Sequence, residues 1–167
     1  MSLPKDILIK RIKNELKDCK RSFRHRFILS DRMMKKFPVE FKVILVDTPG
    51  PVWKDGKVET KYTHKLKIIL TKNYPYQPPV VRWESEIFHP NIMPPEEGGH
   101  VCTQLLEKWN FKSNLVAFIK GIEILLSKPN PRKPFGIDCC TRAAEYFNKN
   151  PYEVIEEKEV KKPVIVE

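Results

Sequence analysis

A chain of 167 residues, 41% hydrophobic and 31% charged, is the size of one domain and has the composition of an ordinary globular protein. Its apolar runs fall far short of the roughly 20 residues of a membrane span, and residues 1–13 interleave lysines with apolar residues and lack a small-residue cleavage site. Neither a membrane partner nor a secretory leader is expected, and a cytoplasmic location follows. The net charge of +10 can steer acidic partners of any kind without choosing among them. It concentrates in residues 5–26 and 54–72, as a basic face would.

Residues 3–21 read as the first helix. Leu8, Ile12, Leu16 and Cys19 recur at helical spacing, with Lys10, Arg11, Lys13, Lys17 and Lys20 on the other faces. Strand-like segments follow at 27–29, 37–47 and 58–71. The second stops at the turn cluster Thr48-Pro49-Gly50-Pro51, and Lys54-Asp55-Gly56-Lys57 carries a hairpin signal. In the third, Tyr62, His64, Leu66, Ile68 and Leu70 form the expected core face, with Lys61, Thr63, Lys65 and Lys67 turned to solvent. Because the neighbours of Tyr62 on that face are aliphatic, the aromatic-and-lysine surface of a nucleic-acid binder is not expected.

The prolines of Tyr74-Pro75-Tyr76-Gln77-Pro78-Pro79 exclude helix and central strand. Residues 80–83 read as a short fourth strand. Residues 84–112 keep no period and contain His89 and Cys102, and a long irregular stretch within one domain is often functional. Residues 115–126 read as an apolar core helix, and residues 138–148 as a last helix with Asp138 as its N-cap. The whole is an α+β fold: N-terminal helix, four-stranded antiparallel meander, irregular active-site loop, core helix and C-terminal helix. A domain over 1–150 and a charged, partly disordered tail over 151–167 are expected.

The four cysteines, Cys19, Cys102, Cys139 and Cys140, include no CxxC pair, and adjacent Cys139-Cys140 suits a shared zinc poorly. Free thiols in a reducing compartment are expected. Cys19, Cys139 and Cys140 read as small hydrophobes, and Cys102 lies in an irregular, glycine-led loop.

Several motifs then occur in a telling order: Ile9-Lys10-Arg11-Ile12 with Glu15-Leu16, the Tyr-Pro loop above, His89-Pro90-Asn91, Gly99-His100-Val101-Cys102, Trp109, and Pro129-Asn130-Pro131. Over residues 7–150 the chain resembles the ubiquitin-conjugating enzyme family. The resemblance implies a modifier, ubiquitin or a ubiquitin-like protein, received from an activating enzyme as a thioester on Cys102 and passed to a substrate lysine. No cofactor or metal is implied, since ATP is used by the activating enzyme, and a monomer is expected. A free thiol of pKa ~8.5 is only a few per cent ionised at neutral pH yet is a strong nucleophile and a good leaving group. The resemblance gives Asn91 the discharge step, as an oxyanion donor whose loss would cost about 2.7–4 kcal/mol, or else a role in holding the loop. It gives Lys10, Arg11, Tyr76 and Phe111 a surface for the activating enzyme and a RING-type ligase. His89 reads as a structural loop residue. His100 shares a side with Cys102 in extended chain, and Trp109 is expected to pack against the Cys102 loop. A catalytically silent binding module is the alternative.

Three features depart from the family. The Met93-Pro94-Pro95-Glu96-Glu97 segment lengthens the loop before Cys102 and could shift Asn91 from the sulfur. Thr103-Gln104 replaces the family's usual pair. Arg132 and Lys133 stand where an acidic residue is common, so Asp138 or a ligase is expected to supply the carboxylate.

Overall fold

The computed structural model describes residues 1–102 and 106–154; the tail from residue 155 and the Thr103-Gln104 pair lie outside the described residues. In chain order the elements are α1 (Lys5–Ser22), β1 (Arg26–Ile28), a 3-10 turn (Asp31–Lys35), β2 (Val39–Leu45), β3 (Gly50–Lys54), β4 (Lys57–Lys61), β5 (His64–Leu70), β6 (Val80–Trp83), a second 3-10 turn (Pro95–Glu97), α2 (Leu115–Ser127) and α3 (Asp138–Lys149).

The expected four-stranded antiparallel sheet is present, ordered β1-β2-β5-β6. Strict alternation decides its two faces. Val39, Phe41, Val43 and Leu45 of β2 and Leu66, Ile68 and Leu70 of β5 point into one core with Trp83 of β6. Leu8, Ile12, Leu16 and Cys19 of α1 and Leu115, Phe118, Ile119, Ile122 and Leu126 of α2 complete it. Each fully buried Leu or Ile contributes about 1.5–3 kcal/mol. On the opposite face the Lys67–Glu40 ion pair at 3.5 Å lies near solvent, where it adds little, while Lys42 reaches a covered carboxylate oxygen of Glu84 at 3.4 Å.

Residues 58–71 are not one strand. The strand is interrupted at Tyr62-Thr63, and β4 leaves the main sheet to pair with β3 through a two-residue turn, Asp55 (φ 52°) and Gly56 (φ 81°). Gly50-Pro51 therefore opens a strand rather than closing a turn. Pro51 is tolerated because β3 is an edge strand, where a missing N–H costs nothing. Tyr62, expected in the core, sits in the break and is 43% exposed. Gly50 lets α2 approach closely: a Cβ there would lie 2.5 Å from Leu126 Cδ1. At the last helix, Ile137 occupies the N-cap without a side-chain bond, and Asp138 is the first helical residue, where its charge still opposes the positive end of the helix dipole.

One buried carboxylate joins three distant segments. Glu15, 7% exposed, accepts from the Tyr74 hydroxyl at 2.5 Å and the Leu115 backbone N–H at 2.9 Å through Oε1, and from Arg11 Nε at 2.7 Å through Oε2. Burial, then the Glu15 charge, pushes the Tyr74 hydroxyl well above its ordinary pKa, so it stays a donor. Glu15→Ala leaves the tyrosine hydroxyl and the α2 N–H unpaired in the core, and is expected to lower the unfolding free energy by about 3 kcal/mol. Urea titration checks this; a loss near zero would mean the network contributes nothing.

Two histidines make stability depend on pH. His64 and His89 are 1% and 2% exposed, and burial lowers each from 6.5 to about 4. Between those values the unfolded chain binds more protons than the folded one. The contribution is therefore complete above pH 6.5 and lost as pH falls toward 4. Urea midpoints should fall from pH 7 to pH 5, by an amount on the order of 3 kcal/mol for the two together. His64→Gln and His89→Gln should each remove about half of that dependence, and unchanged dependence in both variants would refute the assignment.

Candidate active site

The aperiodic stretch after β6 is tied back onto the sheet by backbone bonds. Trp83 N–H donates to Gly99 at 2.7 Å, Met93 N–H to His100 at 2.8 Å, and Cys102 N–H to Asn91 at 2.8 Å. Residues 99–102 thus run antiparallel to 91–93 and continue the edge of β6, with bridges Arg82↔His100 and Ile92↔Val101. Gly99 is required there: its φ is 65°, and a Cβ would lie 2.5 Å from the Trp83 carbonyl oxygen. The extra residues close on themselves in the Pro95–Glu97 turn, where Gly98 and Gly99 N–H donate to Pro95 and Pro94. The lengthened loop is absorbed at its tip, and Asn91 keeps its bond to the Cys102 backbone.

His89-Pro90-Asn91 works as a clamp. The His89 ring accepts the Asn91 N–H at Nδ1 (3.0 Å) and donates from Nε2 to Leu125 (2.8 Å), so both nitrogens are committed and its structural role holds. Pro90 accepts from Phe135 N–H at 3.0 Å. The Asn91 side chain, 2% exposed, donates from Nδ2 to the carbonyls of Asn130 (3.0 Å) and Lys133 (3.1 Å), and Oδ1 accepts Asn130 N–H at 2.7 Å. The amide binds residues 130–133 while its own carbonyl holds Cys102.

The four thiols divide by environment. Cys19 and Cys140 are buried, and burial pushes each up to about 12, aided at Cys19 by Glu15 and Asp18 and at Cys140 by Cys139. The Cys140 thiol donates to the Ile92 carbonyl at 3.7 Å and so supports the clamp from behind. Cys139 is half-buried rather than a core residue, and lines a cleft with Trp53, Phe88 and Tyr146 that does not include Cys102. Cys102 is half-buried at the end of the clamp, with its sulfur unpaired by any disulfide. Among the described residues no hydrogen bond joins the exposed His100 ring to it, and none joins it to the exposed Asp138. Nor does any group of three or more His, Cys, Asp or Glu among them suit a metal.

On another surface Arg11, Tyr76 and Phe111 come together. Arg11 donates from Nη2 to the carbonyls of Phe111 (2.8 Å) and Ser113 (2.9 Å) and lies 5.0 Å over the Phe111 ring. The Tyr76 and Phe111 rings are 4.9 Å apart, 38% and 42% exposed. Lys10 precedes Arg11 on α1 and is exposed. The described partners of Trp109 are not the Cys102 loop. Its Nε1 donates to Pro75 at 2.7 Å and its ring packs on Tyr74 and Phe118.

Sequence reasoning missed Glu15 and the carbonyls of Asn130 and Lys133. Glu15 had a signal, being a charge at the buried spacing of Ile12 and Cys19; backbone carbonyls have none.

Among the described residues no helix is long and apolar enough to cross a membrane. The family model described as "Ubiquitin-conjugating enzyme" matches residues 11–159. A probable ubiquitin-conjugating enzyme of Acanthamoeba polyphaga mimivirus is 32% identical over 103 residues, 57% of this chain and 63% of its own length. Ubiquitin-conjugating enzyme E2 3 of Arabidopsis thaliana is 32% identical over 118 residues, 68% of this chain and 71% of its own. Ubiquitin-conjugating enzyme E2 T of Homo sapiens is 32% identical over 91 residues, 50% of this chain and 45% of its own. The chain thus matches between 45% and 71% of these relatives' lengths. A ubiquitin-conjugating enzyme E2 domain of Toxoplasma gondii shares the fold, with a TM-score of 0.63 over 84% of this chain and 86% of that one at 20% identity. With the profile spanning most of its residues and the clamp built from the motifs that suggested it, this chain belongs to the ubiquitin-conjugating enzyme family.

Proposed function

We propose that this chain accepts ubiquitin or a ubiquitin-like modifier from an activating enzyme as a thioester on Cys102 and transfers it to a substrate lysine. The observation that carries this reading is the contrast among the thiols. Cys102 is half-buried and fixed by its backbone to Asn91, whereas Cys19 and Cys140 are buried and held protonated. In loading, the Cys102 thiolate attacks the modifier's activated C-terminal carbonyl and expels the activating enzyme's thiolate. In discharge, a neutral lysine amine attacks the thioester carbonyl, the C–N bond forms and the C–S bond breaks. Cys102 leaves as thiolate, and the amine's proton passes to solvent. ATP is consumed upstream, in activation, and residues 1–150 act as a monomeric core.

Asn91 serves this chemistry by position. Both N–H groups of its side chain donate to backbone carbonyls, which favours the loop-holding role over oxyanion donation. The paired rings of Tyr76 and Phe111, with Arg11 against Phe111 and its exposed neighbour in sequence Lys10, form the docking surface for the activating enzyme and a RING-type ligase. Aromatic and arginine side chains are the types that dominate interface energy.

Incubation with an activating enzyme, ATP and candidate modifiers, followed by a non-reducing gel, tests the carrier role. Wild type should give a thiol-sensitive adduct, Cys102→Ser a thiol-resistant ester and Cys102→Ala none. An adduct surviving in Cys102→Ala would refute it, and no adduct in any protein would leave the silent binding module. Tyr76→Ala and Phe111→Ala should each cut ligase-stimulated discharge at least tenfold, a loss of about 1.4 kcal/mol or more, and leave discharge to free lysine unchanged. Full ligase stimulation in both variants would place the docking surface elsewhere.

A further inference from the structure

The turn that Asn91 holds carries two cations, Arg132 and Lys133, and the same residue bonds the backbone of Cys102. Its backbone is fixed at both ends: Asn91 donates to the carbonyls of Asn130 and Lys133, Arg132 N–H donates to Asn130 Oδ1 at 3.1 Å, and Lys133 N–H approaches the Asn130 carbonyl at 3.5 Å. One residue separates this turn from the thiol, because the Asn91 carbonyl accepts Cys102 N–H at 2.8 Å. The side chains of Arg132 and Lys133 are exposed, and neither forms an ion pair among the described residues. Asp138 in α3 and Glu96 and Glu97 in the second 3-10 turn are the carboxylates of neighbouring elements; they too are exposed and pair with neither cation.

An amine reaching a thioester on Cys102 enters the field of both cations. That field favours the neutral, nucleophilic amine but repels the ammonium form in which a lysine arrives. Carboxylates beside the lysine offset that repulsion and pair with the two cations, so an acidic acceptor segment is drawn to the site where a basic one is turned away. We propose that this site takes acceptor lysines flanked by Asp or Glu, with Arg132 and Lys133 as the residues that select them. The inference rests on the thioester reading and names the substrate class of the same site. Charge pairing of this kind acts on selectivity more than on raw affinity. The cations are held through backbone atoms, so their side chains can be exchanged without opening the clamp.

The test charges Cys102 by exchange with a ubiquitin C-terminal alkyl thioester, then follows single-turnover discharge onto two peptides of equal length. Each carries one lysine, flanked in one by glutamates and in the other by arginines. The acidic peptide should react roughly tenfold faster at low salt, through two exposed and individually weak pairs, and the advantage should shrink as salt rises. Arg132→Glu/Lys133→Glu, once charged, should prefer the basic peptide. Equal rates for the two peptides in the charged wild type would overturn this inference alone, as would an unchanged preference in the double variant. Failure of wild type to charge at all would overturn the thioester reading and this inference with it.

Discussion

The Asn91 side chain has two N–H groups and one carbonyl oxygen, and all three bond to the backbone of residues 130–133. Its main-chain carbonyl holds Cys102, and its main-chain N–H is held by His89. Two segments about forty residues apart in the chain are joined at this residue, and the thiol's position follows from both. An amide suits the task because it donates and accepts at once. In a buried place every group it left unpaired would cost about 1–3 kcal/mol, so the clamp is either whole or badly destabilised. Behind it His89 stays neutral, since burial makes a charged imidazole costly there.

A second node works on the other side of the molecule by the same logic with a charge in place of an amide. Glu15 is tolerated in the core because three donors meet its carboxylate, one of them the cation Arg11. Arg11 in turn grips the carbonyls of Phe111 and Ser113, so the exposed aromatic pair stands on a turn pinned from α1. The surface proposed for partner proteins is therefore braced from inside, and its rings would meet a partner with little left to order.

The sequence made the architecture legible wherever alternation or helical spacing ran unbroken. β2, α1 and α2 follow their patterns within a residue or two. Reading failed where two strands of different sheets continued one alternation. Residues 58–71 keep the two-residue period across Tyr62-Thr63, so nothing in the pattern marks where β4 departs to join β3. Pro51 obscured β3 itself, since edge position, which makes proline acceptable, is a tertiary property. At the site, Cys102 and Asn91 were legible from their motif neighbours. The lengthened loop read as a threat to their spacing, yet its glycines and 3-10 turn close it away from the pair. The roles of the Asn130 and Lys133 carbonyls were invisible, because any residue carries a carbonyl.

The most direct measurement maps acylation on the native chain. After exposure to a ubiquitin alkyl thioester, digestion and mass spectrometry should locate one adduct, on Cys102, and hydroxylamine should release it. An adduct on Cys139 instead, or modification of lysines with Cys102 untouched, would contradict the carrier role assigned to this thiol.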